Sequence, residues 1–188
     1  MEPAARHATY QDVLDAPEHV VAELIAGELY TSPRPAPRHS VASSIIGGDL
    51  TGPFHRRPDD PNGPGGWWIL DEPELHFGGD VLVPDLAGWR RERLPRIPNE
   101  AAFTLAPDWL CEVVSPSTAR IDRVLKMPIY AREGVEFVWI VDPRLKTLEV
   151  FQRSAASWIL LSSHVGDDLC RAEPFAAVEL DMTRWWVD

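Results

Sequence analysis

Two acidic residues and one lysine stand out because each acid interrupts an apolar segment. Asp85 lies in the run 81–87, and Glu112 lies in the β-prone run 109–114. A carboxylate inside a core strand needs a partner, because burying an unpaired charge is costly. Lys126 follows Glu112 on a segment whose pattern predicts a helix. Two strand carboxylates with a nearby lysine are typical of a divalent-metal site.

The chemistry that suits such a site is phosphodiester hydrolysis, which needs a hard cation held by oxygen ligands. Asp85 and Glu112 would repel each other without a cation, whereas both stay ionised beside Mg²⁺. We expect the backbone carbonyl of Val113 to complete the shell, with Mn²⁺ as an alternative to Mg²⁺. Lys126 is then expected to stabilise the transition state as a point charge.

Longer motifs around these residues resemble a known family. Val83-Pro84-Asp85-Leu86-Ala87 and the stretch from Glu112 to Arg123 resemble blocks of the Uma2 (DUF820) family of bacterial endonucleases. Residues 126–143 look like the next block of that family, and residues 23–29 are similar to its N-terminal hairpin. The resemblance covers roughly residues 9–162.

The resemblance implies an α/β, restriction-endonuclease-like core of the PD-(D/E)xK superfamily and Mg²⁺-dependent cleavage of DNA. Pro84-Asp85 then forms the PD half, and Glu112 is the acid of the second half. Val114 stands where the superfamily has its lysine, so the resemblance implies that this lysine has moved to Lys126. The family often has an acid at the position of Glu72. This residue is therefore a further candidate metal ligand, or otherwise a solvent-facing strand residue.

Three more residues are weaker candidates for the site. Glu23 lies in the predicted N-terminal hairpin, whose packing the sequence does not reveal. We expect Asp122 to pair with Arg120 or to cap its helix, and His39 to be a surface or capping residue at a helix start. The sequence contains neither a His/Cys cluster of zinc spacing nor a glycine-rich phosphate loop.

The elements that must position these residues are predicted to form one domain over residues 1–188, with a mixed central β-sheet flanked by helices and an N-terminal β-hairpin. The strand–helix–strand order after residue 108 predicts a parallel pair. Helices are predicted at 9–16, 38–51 and 118–133, the last ended by Gly134. Strands are predicted at 67–77, 81–87, 109–114 and 137–141, hairpins at 20–30 and 147–162, and a loop at 53–66.

Composition is that of a globular protein, with 45% hydrophobic and 25% charged residues. No apolar run approaches the roughly 20 residues that span a bilayer, so no membrane partner is expected. The N-terminus lacks the apolar stretch of a signal peptide, and two cysteines provide no disulfide framework. We therefore expect a cytoplasmic protein.

The formal net charge of −11 disfavours binding to nucleic acid. Two basic clusters are nevertheless expected beside the site, unless they form a solvated loop surface. They are Arg90, Arg91, Arg93 and Arg96, and Arg120, Arg123 and Lys126. The eight tryptophans are expected in the core or an interface rather than stacked on bases, and Trp185-Trp186 in a subunit interface if exposed.

The predicted partner is DNA, and the predicted function is a Mg²⁺-dependent endonuclease that acts as a homodimer, because cutting both strands of a duplex needs two sites. Two alternatives stay open. One is a catalytically silent nuclease-fold module that binds nucleic acid or protein. The other is a metal-dependent hydrolase of a smaller phosphate ester.

Overall fold

The computed structural model describes residues 7–187, which form a mixed α/β fold. In chain order the elements are α1 (Tyr10–Leu14), β1 (Val20–Ile25), β2 (Glu28–Pro33), α2 (Pro37–Phe54), β3 (Trp67–Asp71), β4 (Leu75–Phe77), β5 (Asp80–Leu82), β6 (Leu86–Arg90), β7 (Trp109–Val113), a π-helical segment (Ile121–Lys126), α3 (Met127–Glu133), β8 (Phe137–Asp142), β9 (Thr147–Ser154), β10 (Ser157–Val165), β11 (Leu169–Cys170), β12 (Leu180–Asp181) and a 3₁₀ helix (Met182–Trp185).

A six-stranded sheet in the order β10-β9-β8-β7-β6-β3 forms the centre. β7 and β8 are parallel and the other neighbours are antiparallel, which confirms the predicted strand–helix–strand unit and mixed sheet. Both parallel strands are apolar because the sheet is covered on two faces. Trp109 and Cys111 lie in the same core as α2, whereas Leu110 lies in the core that contains Tyr130 of α3.

A second sheet of four strands has the order β2-β1-β5-β4, and its β1–β2 hairpin is the one predicted at residues 20–30. The predictions of continuous strands at 67–77 and 81–87 are wrong. Each segment divides, so that β3 pairs with β6 in the central sheet while β4 pairs with β5 in the smaller one. Pro73 and Pro84 lie at the breaks, where a residue without an N–H cannot extend a ladder. This crossing between sheets is where Glu72 and Asp85 lie.

The helix predicted at 118–133 has a less regular start than expected. It begins with the π-helical segment, in which the Met127 N–H donates to the carbonyl of Asp122, five residues earlier. Pro128 follows directly and has no N–H for the carbonyl of Val124. Its ring would also clash with that carbonyl in a regular α-helix, which explains the wider turn. Gly134 ends the helix as predicted, with a φ of +91°.

The C-terminal segment completes the core on the α2 side of the central sheet. Trp185 and Trp186 are buried there near Phe175 and Trp139, so they are core residues and not an exposed interface pair. None of the helices within residues 7–187 combines the length and apolar character needed to cross a bilayer. The first six residues, on which the expectation about a signal peptide depended, lie outside the described part of the chain.

Candidate active site

A cavity of about 240 Å³ opens where the crossing between the two sheets meets the end of β7 and the π-helical segment. Asp85, Glu112 and Lys126 all line this cavity, so the structure brings the three predicted residues together. The charged or titratable residues that also line it are Glu23, Arg34, His39, Glu72 and Asp122.

Lys126 contacts three buried carboxylates. Its Nζ lies 2.8 Å from Glu23, 3.2 Å from Asp122 and 3.3 Å from Glu112. An ammonium has three N–H donors, so each can meet one carboxylate. Burial disfavours the charged lysine, but Glu112, Glu23 and Asp122 outweigh that effect and raise the pKa of Lys126 well above its usual value. The lysine is therefore a fixed positive charge on the cavity wall.

Glu112 is 2% exposed, and its side chain is held in place through hydrogen bonds to one of its two carboxylate oxygens. The Tyr130 hydroxyl donates to Oε1 at 2.6 Å, and Lys126 donates to the same atom at 3.3 Å. No residue within 7–187 donates to Oε2, which leaves that oxygen for a ligand. Burial raises the pKa of Glu112 well above its usual value, and the charges of Asp122, Asp85 and Glu23 add to this effect.

Asp85 is fixed against the neighbouring strand. Its Oδ2 accepts a hydrogen bond from the Val113 N–H at 2.7 Å, which attaches the crossing segment to the end of β7. Its other oxygen, Oδ1, lies 3.1 Å from Nε2 of His39. The predicted ligands Asp85 and Val113 are thus in direct contact.

The prediction that His39 is a surface or capping residue is wrong, since its side chain is only 13% exposed and faces Asp85. Its Nδ1 is buried and has no hydrogen-bond partner in the described part of the chain. Burial alone would lower the pKa of His39, but the hydrogen bond and charge of Asp85 raise it. A signal was present in the sequence: His39 shares the helical face of Ala42, Ile46 and Leu50, which are buried.

Two further acids reach the cavity. Glu23 of β1 is 6% exposed, and its Oε1 accepts from the Val83 N–H at 2.8 Å as well as from Lys126. Asp122 pairs with Lys126 rather than with Arg120, which corrects that prediction. Burial raises the pKa of both acids. The sequence did not reveal the role of Glu23, because it depends on how the hairpin packs against the π-helical segment.

Glu72 lines the rim of the cavity rather than its floor. Its side chain is 44% exposed and lies 4.0 Å from the Arg34 guanidinium. Its backbone has a φ of +43°, at the break between β3 and β4. It is neither a residue within a strand nor a member of the buried cluster, so its role as a metal ligand stays a prediction.

The basic residues that follow Asp85 do not flank the site, contrary to the prediction. Arg90 and Arg93 pair with Asp108, which precedes β7 at the end opposite to Glu112. Arg91 stacks on Trp68, with 3.4 Å between its guanidinium carbon and the ring centroid. Arg96 does not line the cavity either. The direction of β6, which leads away from Asp85, explains this separation.

The donor set fits a hard divalent cation, although no three His, Cys, Asp or Glu side chains in residues 7–187 already enclose one. Five carboxylates line the cavity with one lysine, one arginine and one histidine, so the cavity has an excess of acidic groups. A cation between Asp85 and Glu112 would favour the ionised form of Glu112, whose pKa is raised mainly by burial and further by the charges of Asp122 and Asp85. Residues able to hold it are Asp85, Glu112 and, through its carbonyl, Val113.

Comparison with known proteins shows the family and the fold of this chain. Residues 8–183 match the model of the Uma2 family, described as "Putative restriction endonuclease". The fold is similar to the crystal structure of a protein from Anabaena variabilis described as a putative nuclease belonging to DUF820, with a TM-score of 0.74 and 22% sequence identity. That alignment covers 94% of this chain and 96% of the other. No curated protein matches the chain.

Proposed function

Since this chain belongs to the Uma2 family, we propose that it is a Mg²⁺-dependent endonuclease that hydrolyses phosphodiester bonds of DNA. The observation that carries the proposal is the convergence of Asp85, Glu112 and Lys126 on one cavity. The three groups come from the crossing segment, β7 and the π-helical segment, and they were expected at one site from the sequence alone.

Asp85, Glu112 and the Val113 carbonyl would hold Mg²⁺, or Mn²⁺ as the alternative, with Glu72 as a further ligand from the rim. A bound cation would supply an activated water and neutralise charge on the phosphate. Tyr130 orients Glu112 by its bond to Oε1, which leaves Oε2 without a donor among the described residues. The Val113 N–H fixes Asp85 in the same way through Oδ2.

Lys126 contributes mainly through its charge. Three carboxylates already occupy its surroundings at 2.8 to 3.3 Å, so it stabilises negative charge in the cavity as a point charge near the reacting phosphate. It also keeps the acids from repelling one another, because it is in contact with Glu23, Asp122 and Glu112 at once.

The test is to replace Glu112 with Gln and assay plasmid and linear DNA with Mg²⁺ or Mn²⁺. We expect cleavage by the wild type and a loss of at least about a thousandfold in the variant, since one cation ligand is removed. Glu136→Gln is the matched control, because Glu136 is 44% exposed and pairs with Arg90 outside the site. It should cut as the wild type does.

Two results would count against this proposal. A folded wild-type protein that cuts no DNA with either cation would exclude the endonuclease. Undiminished cleavage by the folded Glu112→Gln variant would exclude this site. Circular dichroism of each protein separates loss of fold from loss of chemistry.

A binding module that has kept the nuclease fold is the second candidate, and the net charge of −11 favours it. Such a protein would bind nucleic acid or protein without cutting. Salt-dependent binding of DNA without cleavage would support this candidate, and a salt slope near zero would discount nucleic acid as its partner.

We also propose that two copies associate through β10, which forms one edge of the central sheet. The opposite edge, β3, is covered, since His55 accepts from the Ile69 N–H and Arg91 donates to the Trp67 carbonyl. β10 has nine residues, none of them Asp, Glu, Lys or Arg, and Ile159 and Leu160 are exposed. An edge strand without charged residues can pair with the same strand of a second copy of the protein. At other surfaces the net charge of −11 makes two copies repel each other.

Sedimentation velocity tests this association. Leu160→Lys should yield a monomer, whereas Leu145→Lys, at a 69% exposed turn position, should leave the dimer intact. A wild type that is monomeric at every concentration would refute it.

A cytoplasmic location is a further proposal, supported by the unpaired, buried Cys111 and Cys170. Cell fractionation would check this location.

A further inference from the structure

We propose that His39 is a direct ligand of the catalytic cation through Nε2, and that the site therefore selects Mn²⁺ over Mg²⁺. This inference rests on the proposed metal-dependent function and adds a nitrogen ligand to its oxygen donors. The starting observation is that the imidazole, which comes from the first turns of α2, reaches into the cavity and meets Asp85.

The spacing of the two side chains suits a shared cation. Nε2 of His39 and Oδ1 of Asp85 lie 3.1 Å apart. In an octahedral shell with bonds of about 2.1 Å, two neighbouring ligand atoms are about 3 Å apart. The pair therefore has the separation of adjacent ligands.

The ring is held in place by its helix rather than by other polar partners. Ala42, Ile46 and Leu50 anchor α2 in the core with 0% exposure, and His39 lies on the same helical face. Nδ1 has no hydrogen-bond partner within residues 7–187. Within the described residues Asp85 is its only side-chain partner, so Nε2 is directed at a carboxylate that is itself a proposed cation ligand.

The identity of the ligand decides which cation the site prefers. Mg²⁺ favours oxygen donors and parts reluctantly with its water, whereas imidazole is a good ligand for transition metals. Mn²⁺ accepts both carboxylates and imidazole. A site of Asp85, Glu112, the Val113 carbonyl and His39 should thus bind Mn²⁺ more tightly than Mg²⁺, and the difference should depend on His39.

The experiment uses the full chain and Mn²⁺ or Mg²⁺ alone, without DNA. Pulsed EPR of bound Mn²⁺ should detect an imidazole nitrogen in the wild type, and calorimetry gives the Kd of each cation. His39→Ala should abolish the nitrogen signal and raise the Kd for Mn²⁺ by at least about tenfold, with a smaller change for Mg²⁺. His19→Ala, at an exposed position outside the cavity, is the matched control and should change neither quantity.

His39→Gln separates ligation from mere positioning, because an amide can still donate to Asp85 but supplies no imidazole. Loss of the nitrogen signal and of Mn²⁺ selectivity in this variant is expected. A wild type that binds Mn²⁺ without an imidazole signal, or a folded His39→Ala variant with an unchanged Kd, would overturn the inference while leaving the nuclease proposal standing. A wild type that binds neither cation would overturn both.

Discussion

The Tyr130 hydroxyl donates a hydrogen bond to Oε1 of Glu112 at 2.6 Å, which is the shortest hydrogen bond described in the site. Tyr130→Phe removes this donor from a fully buried carboxylate. We expect a loss of about 1–3 kcal/mol in the free energy of unfolding, the usual range when a buried polar group loses a hydrogen-bond partner. Urea denaturation measures it.

Tyr30→Phe is the matched control for that substitution. The Tyr30 hydroxyl also donates to a glutamate at 2.8 Å, but this bond is exposed. Removing it should produce no measurable change. Equal effects of the two substitutions would mean that the Tyr130 bond has no special role in holding Glu112.

The raised pKa of Glu112 predicts how stability depends on pH in the metal-free protein. The folded state favours the protonated acid, so the stability due to this group is full below its ordinary pKa of 4.5 and is lost as the pH rises through the raised value. Gln has no proton to lose. Glu112→Gln should therefore be more stable than the wild type at pH 8 in EDTA, and the difference should shrink toward pH 5.

Denaturation with urea at the two pH values checks this expectation. Added Mn²⁺ should reverse the order, because only the wild type has the full set of ligands. If the wild type became the more stable protein as the pH rose in EDTA, the carboxylate would be better solvated than its 2% exposure indicates.

Residues of the site divide into those that local sequence could identify and those that only packing determines. Asp85 and Glu112 were predictable because each is a lone acid in an apolar run of the sequence. Glu23 and His39 were not identified, since their roles depend on a hairpin and a helix that arrive from elsewhere in the chain. Their contacts with Lys126 and Asp85 join residues far apart in sequence.

At the scale of elements, the end of α3 provides a sharp test. Gly134 has a φ of +91°, with open space around the position of a Cβ. Gly134→Ala should cost about 1 kcal/mol of stability from backbone strain alone. Gly48→Ala should instead stabilise the protein by about 0.5–1 kcal/mol, because Gly48 is exposed inside α2 and also has open space.

Thermal and urea denaturation of both variants measure these effects. The two positions differ mainly in backbone conformation, so the opposite signs isolate that cause. A Gly134→Ala variant as stable as the Gly48→Ala variant would mean that α3 does not end in a left-handed residue.

Periodicity predicted the existence and type of most elements but not their breaks. The parallel pair β7 and β8 was predicted because buried parallel strands are continuous apolar runs. The division of 67–77 and 81–87 between two sheets was not, although Pro73 and Pro84 were its visible causes. The π-helical turn before Pro128 was missed for a similar reason, since apolar spacing does not report on a single wider turn.

At the scale of the whole molecule, the net charge of −11 makes the few basic residues near the cavity important for the proposed binding of DNA. Arg34 lines the cavity, and its side chain is 60% exposed. In the cleavage-deficient Glu112→Gln background, Arg34→Glu should weaken DNA binding and reduce the slope of log K against log salt by about 1. Fluorescence anisotropy across a salt series measures both.

Arg96→Glu has the same change of charge at an exposed residue that does not line the cavity, and it should leave affinity and slope unchanged. An equal loss of affinity in both variants would indicate that DNA binding depends only on the net charge of the protein. An effect of Arg96→Glu alone would indicate that DNA binds at the opposite end of β6.

The division of the site between two parts of the chain has a consequence for the cell that makes this protein. Glu23, His39 and Asp85 precede residue 90, whereas Glu112, Asp122 and Lys126 follow residue 108. A ribosome-bound polypeptide that ends before β7 thus has only one group of these side chains, and a proteolytic fragment of either half is equally incomplete. Under the proposed function, an unfinished or degraded copy would therefore lack hydrolytic activity until β7 has paired with β6.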